Sequence, residues 1–248
     1  MAGLAERLPM LVELRGENQG ILRANAADRE KDKSGSCSSM LALDLRFFAV
    51  AHYILKRDVT SFRLQLSEAA EIRQRMFERF EAGEGIDASY VTMLSYKELF
   101  SALAAANMPL ARSLAAHMGG RHDLEKEYDH PFDYAMGYTL RAFVLNDFPE
   151  MRKWSQNLWA TCHETGVSDF QGYAKVFEAM LSEDTASANQ GLIAVVKGHQ
   201  RQTKGKGVFV NTEDELLCVW GVGMANLARS RGLCVEGNQP LIPDELLL

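Results

Sequence analysis

Apolar residues recur at intervals of three and four along almost the whole chain. That spacing gathers them on one face of an α-helix and would scatter them over both faces of a strand. Leu4, Leu8, Leu11, Val12 and Leu14 open the pattern, which extends to Ile21 and Leu22. Phe62, Leu66, Ala69, Ala70, Ile72, Arg73, Met76, Phe77 and Phe80 continue it, with one arginine among the apolar positions. The breaks carry the chemistry of helix ends. The polar run 26–39 closes the first helix, Ser38 or Ser39 caps a second over 39–57, and Gly83 and Gly85 stop a third over 60–82. Asp87 or Ser89 opens 88–106, Pro109 suits the first turn of 109–118, and Gly119-Gly120 ends it. Asp147-Phe148-Pro149-Glu150 combines a capping aspartate, a first-turn proline and an early acid, and so begins 149–164. Helices are also expected over 132–146, 169–182 and 185–202, with a turn at 163–167. Thr212, followed by Glu213, Asp214 and Glu215, predicts a capped helix 213–231. Only Val208-Phe209-Val210 reads as extended, and three residues build no sheet. The expectation is an all-α protein, an antiparallel bundle or stacked α-hairpins of about 9–11 helices. It is read as a single domain over 1–248, with a subdivision at residue 120 as the variant.

Length and composition agree. With 248 residues, 47% of them apolar and 24% charged, the chain can bury a substantial core without carrying a membrane-length apolar run. The start, MAGLAERLPMLVELRGENQG, interrupts its apolar stretch with glutamates and arginine, which argues against an export signal. Cys37, Cys162, Cys218 and Cys234 show no CxxC spacing. Cys162, Cys218 and Cys234 are expected as small buried hydrophobes, reduced, in a cytoplasmic protein.

Candidate chemistry is sparse. No phosphate-binding loop, HExxH or GxSxG pattern occurs. Gly221 and Gly223 are expected to let helices approach closely, and the TKGKG loop (203–207) reads as an ordinary turn. The densest group of metal-type ligands is His117, His122, Asp123, His130 and Asp133. His122-Asp123 resembles the dyad of helical metal-dependent phosphohydrolases, with His52 and Asp133 or Asp147 as further nominees, but a surface loop explains it as well. Cys162 and His163 are adjacent, so on a helix their side chains diverge by about 100° and make a poor thiolate–imidazole pair. No catalytic residue, metal or cofactor is expected. Basic residues are dispersed among acids, which disfavours nucleic acid as a partner.

The charge that is uneven is acidic. Residues 123–150 hold 2 basic and 7 acidic side chains and so carry most of the net charge of -6. In GGRHDLEKEYDHPFDY (119–134) these acids alternate with Tyr128, Phe132 and Tyr134, the mixture that binds a basic protein: charge steers the encounter and aromatics supply desolvated contact. Asp123, Glu125, Glu127, Tyr128, Asp129 and Asp133, with Asp147 and Glu150 of the next turn, are the predicted partner-binding residues. Reversing Glu125, Glu127 and Asp129 is expected to weaken such a contact and leave the fold intact.

The chain's end, WGVGMANLARSRGL (220–233) followed by PLIPDELL (240–247), resembles the end of immunity protein 49 family members. These are all-helical bacterial proteins encoded beside polymorphic toxins, which protect the producer by binding its own toxin. The resemblance implies a non-enzymatic protein that occludes a cognate toxin, and it brings no catalytic residues. The acidic patch suits a toxin with a basic site, as nucleases have. A helical-repeat scaffold for an endogenous protein is the competing reading. The tail itself is read as structural: Gly232 stops the helix, and Leu241, Ile242, Leu246 and Leu247 cover an apolar groove, with Pro243 and Asp244 starting a last turn. Burying about four such side chains contributes roughly 6–12 kcal/mol before entropy.

Overall fold

The computed structural model describes residues 3–164, 167–237 and 239–248. Eleven α-helices occur among them: α1 (Leu4–Ala27), α2 (Ser36–Lys56), α3 (Val59–Glu81), α4 (Tyr96–Ala104), α5 (Met108–His117), α6 (His122–Tyr128), α7 (Pro131–Leu145), α8 (Phe148–Glu164), α9 (Gln171–Leu181), α10 (Thr185–Gln202) and α11 (Val219–Ser230). No strand forms among the described residues, and the only β-type pairing is the single bridge Gln239–Ile242. Of the turn expected at 163–167, Thr165 and Gly166 lie outside the described residues.

Neighbours in sequence pack as hairpins, α1 on α2, α2 on α3, α7 on α8 and α9 on α10. The arrangement closes because α11 returns to lie against α4. A single hydrophobic cluster runs from Leu41 to Leu247, so both halves of the chain share one core. At its centre Trp220 of α11 stacks on Phe100 of α4 (5.8 Å, 12°) and meets Tyr96 and Phe209 edge-on. Gly223 makes that crossing close: a Cβ there would stand 2.7 Å from the Phe100 carbonyl oxygen. The helix α2 is long and apolar enough to cross a membrane, but two-thirds of its apolar window is buried inside the protein, as befits a core helix.

Several helix starts differ from expectation, because groups elsewhere in the chain take the polar atoms near the expected start. The α2 helix begins at Ser36, after Gly35 in the left-handed region, and the carboxylate of Asp32 accepts from both Ser38 N and Ser38 Oγ. The predicted helix 88–106 is two 3-10 turns, Ala88–Val91 and Met93–Ser95, ahead of α4, and the amide of Met93 donates to Asp129 (2.9 Å). The helix expected at 213 opens as one 3-10 turn, Glu213–Glu215, and α11 starts only at Val219. The Thr212 hydroxyl donates back to the Phe209 carbonyl, Asp214 turns inward, and the Cys218 amide donates to the Leu241 carbonyl of the tail (3.0 Å). Cys234 is exposed, a correction to its expected burial, because it lies beyond the end of α11.

The tail docks as the apolar pattern requires. Ile242, Leu246 and Leu247 are buried, Leu241 packs against the core, and Asp244–Leu246 forms the last turn. Buried Asn226 fixes the register: its Nδ2 donates to the Leu103 carbonyl ending α4 (2.9 Å), and its Oδ1 accepts from the Leu248 amide (2.9 Å).

Candidate functional site

The acidic segment that reads as a linker folds into α6. Gly119 and Gly120 both take positive φ, which only glycine adopts without strain, and turn the chain sharply out of α5. Arg121 then ties back to α3, donating to Glu81 (2.8 Å) and lying over the Phe77 ring. The eight residues that follow, 122–129, divide by helical period. Asp123, Glu127 and Tyr128 face solvent, Tyr128 with 51% of its surface exposed. Glu125 and Asp129, one turn apart, face the protein.

That division corrects the predicted site. Glu125 is fully buried and accepts hydrogen bonds from the Tyr138 hydroxyl (2.6 Å) and the Arg121 amide (3.3 Å). Asp129 is buried and holds the Met93 amide. Neither can meet a partner. A charge reversal at either position would leave a cation among these donors and destabilise the fold, contrary to the sequence-based expectation that the fold stays intact. Burial drives the Asp129 carboxyl up to about 6, against the opposing hydrogen bonds from Thr92 and the Met93 amide. Asp133 is half-buried and accepts from the Tyr96 hydroxyl (2.9 Å). Asp147 caps α8 by accepting from the Glu150 amide (3.4 Å), and Glu150 accepts from Trp154 Nε1 (2.6 Å) and Lys153 (3.0 Å). The outward acidic face is therefore Asp123 and Glu127, with Tyr128 beside them.

Beneath that face the rings of His122, Tyr138 and Trp154 stack in series, 5.4 Å and 4.5 Å between centroids. Through this ladder the 119–134 segment and the Asp147–Glu150 turn become neighbours, as the sequence grouped them. His122 Nδ1 lies 2.8 Å from Tyr134 Oη and 3.0 Å from Tyr138 Oη. Burial and the Glu125 carboxylate push the Tyr138 hydroxyl well above its ordinary value, so it stays protonated and acts as a donor. The other nominated metal ligands point elsewhere: His117 to Glu81 (2.9 Å) and His130 to the Phe132 amide, as cap of α7 (3.2 Å). Among the described residues no three His, Cys, Asp or Glu side chains gather as a metal site. Cys162 is buried, and burial raises its thiol to about 12, while His163 is exposed.

Two buried ion pairs escaped sequence reasoning. Arg46 of α2 reaches Asp214 (3.3 Å) and, farther off, Glu213 (3.9 Å), and Arg73 of α3 reaches Glu98 (3.2 Å) and the Tyr90 carbonyl (2.7 Å). Arg46 and Arg73 are 4% and 6% exposed. Burial pushes Asp214 upward against the pull of Arg46. The signal for Arg73 was present, since it falls on the apolar face of its helix. Its partner, 25 residues away, was not legible.

Against known proteins, no family model, curated protein or solved structure matches this chain.

Proposed function

We propose that the chain is a non-enzymatic immunity protein that neutralises a cognate bacterial toxin by binding it, in the cytoplasm, through the outer face of α6. The observation that carries the reading is the division of the acidic segment. Glu125, Asp129 and Asp133 are used up holding the helix in place, and Asp123, Glu127 and Tyr128 are presented outward on that fixed base. A held face loses little side-chain and backbone freedom on binding, and an acidic one accelerates encounter with a basic partner. The resemblance of the C-terminal sequence to immunity protein 49 family members supports the choice of a toxin as that partner.

The test is survival of cells expressing the toxin encoded beside this gene, with and without this protein, together with co-purification of the two. Rescue with a stable complex is expected. In that complex Asp123→Lys with Glu127→Lys slows association by about tenfold or more and flattens its salt dependence, while Tyr128→Ala speeds dissociation. Rescue that survives all three substitutions moves the interface off α6. Neither rescue nor complex, with the toxin shown active, leaves the helical scaffold for an endogenous protein.

A further inference from the structure

Helix α1 carries apolar residues on two sides. Leu8, Leu11 and Val12 pack on Phe47, Phe48 and Ala51 of α2, and Leu22 and Ala26 pack on the main core. Met10, Leu14 and Ile21 point away from it and are 58%, 56% and 64% exposed. Four and seven residues apart, these three line up along one strip of the helix, about 16 Å long at 1.5 Å per residue. We infer that this strip docks an amphipathic helix of another protein, one whose apolar face is flanked by lysine or arginine, independently of the α6 face.

Spacing sets the shape of the partner. A single exposed apolar side chain is ordinary, but three in line on one helix present a continuous strip, and a second helix laid along it meets all three. Charge sets the partner's sign. Glu6, Glu13 and Glu17 follow the strip, each three or four residues from one of its members and so beside it on the helix surface. All three are exposed, and none forms an ion pair among the described residues; Glu6 accepts only the Gly3 amide. The arginines on the inner side are committed elsewhere, Arg15 to Asp44 (3.1 Å) and Arg23 to Glu68. That leaves Arg7, across the strip from the glutamates, as the one cation of α1 without an acidic partner among the described residues. The strip is therefore apolar along its length and negative along one edge. A second copy of the chain would bring the same glutamates against each other, and an anionic lipid surface would meet them with like charge. Cations flanking the apolar residues of a partner helix pair with them instead, as charges do at the flanking positions of a coiled coil.

Calorimetric titration of the intact protein with a synthetic peptide of about three heptads, leucine at a and d and lysine at e and g, tests the assignment. Two matched peptides serve as references, one with glutamate in place of the lysines and one with serine in place of the leucines. At about 0.1 M salt the leucine–lysine peptide should saturate the protein and bind at least about tenfold tighter than either reference. Leu14→Ser with Ile21→Ser should remove that binding. Glu13→Lys with Glu17→Lys, at exposed positions that leave the core alone, should reverse the preference toward the glutamate peptide. Asp123→Lys with Glu127→Lys should change neither result, which separates this surface from α6. Binding that survives the Leu14 and Ile21 substitutions, indifference to the sign of the flanking charge, or no saturation would overturn the proposal. So would a dimer in sedimentation that Leu14→Ser with Ile21→Ser dissolves, which would give the strip to a second copy, or adsorption to phosphatidylglycerol vesicles abolished by the same pair, which would give it to a membrane.

Discussion

Asp129 belongs by type to the surface, yet it sits under α6, where one backbone amide and burial set its chemistry. Its folded value of about 6 lies above the ~3.9 of an unfolded aspartate, so the folded chain holds the proton more tightly. The stability this contributes is fully present below the unfolded value and is lost as pH rises through the folded one. Asp214, raised by burial, acts in the same direction. So does His199, for which burial lowers the affinity for a proton but Cys218 and the Asp214 carbonyl raise it further. The carboxylates held low, among them Asp58, Glu84 and Glu245, exert their effect at lower pH. Thermal unfolding followed at pH 5 and pH 7 should therefore show the protein more stable at pH 5, with Asp129 alone supplying about 1 kcal/mol, or roughly 2–4 °C. Asp129→Asn should flatten the slope without reversing it. An unchanged slope in that variant would mean that Asp129 does not titrate in this range.

At the scale of elements, glycine separates two kinds of helix. Gly223 sits where α11 crosses α4, with the Phe100 carbonyl oxygen in the space a Cβ needs, and backbone cannot step aside cheaply. Gly223→Ala should cost about 1–3 kcal/mol through overpacking. Gly16 lies on the exposed side of α1 with nothing near its Cβ position. Gly16→Ala should therefore stabilise by about 0.5–1 kcal/mol, because alanine has less backbone freedom to lose on folding. Urea unfolding of the two variants checks both signs at once, and like signs would contradict the packing assigned to these helices.

At the scale of the molecule, the C-terminal tail closes the core. It crosses α11 with Ile242 against Gly221, gives its Leu241 carbonyl to the Cys218 amide, and places its last residue between Asn226 and Arg229. Deleting residues 241–248 would expose the groove between α4 and α11 and leave the Cys218 amide and the Asn226 side chain without these partners. The expected outcome is an unfolding transition that loses cooperativity and binds a hydrophobic dye, measured by calorimetry and fluorescence. A truncated chain that melts as sharply as the intact one would show that the tail is an appendage and not part of the core.

What the sequence determined by itself was the class of structure and most of its elements, because helix formation is local: 3.6-residue periodicity, a capping aspartate, a first-turn proline and a glycine stop act within a few residues of one another. Helix α10 falls where its pattern put it, and the docking of Leu241, Ile242, Leu246 and Leu247 followed from their apolarity. Only the tertiary structure decided which acids of 119–134 are surface and which are struts. Alternation of acids looks the same whether a helix is solvated or docked, and the difference came from Tyr138 and the Met93 amide, 13 and 36 residues away. It also decided where α11 begins, since the tail and Arg46, not Thr212, claim the groups that would have extended it. The buried pairs Arg46–Asp214 and Arg73–Glu98 belong to the same class. Arg46 meets its partner where α2 packs on the 213–215 turn, Arg73 where α3 packs on α4, and long-range contact of that kind leaves no trace in spacing along the chain.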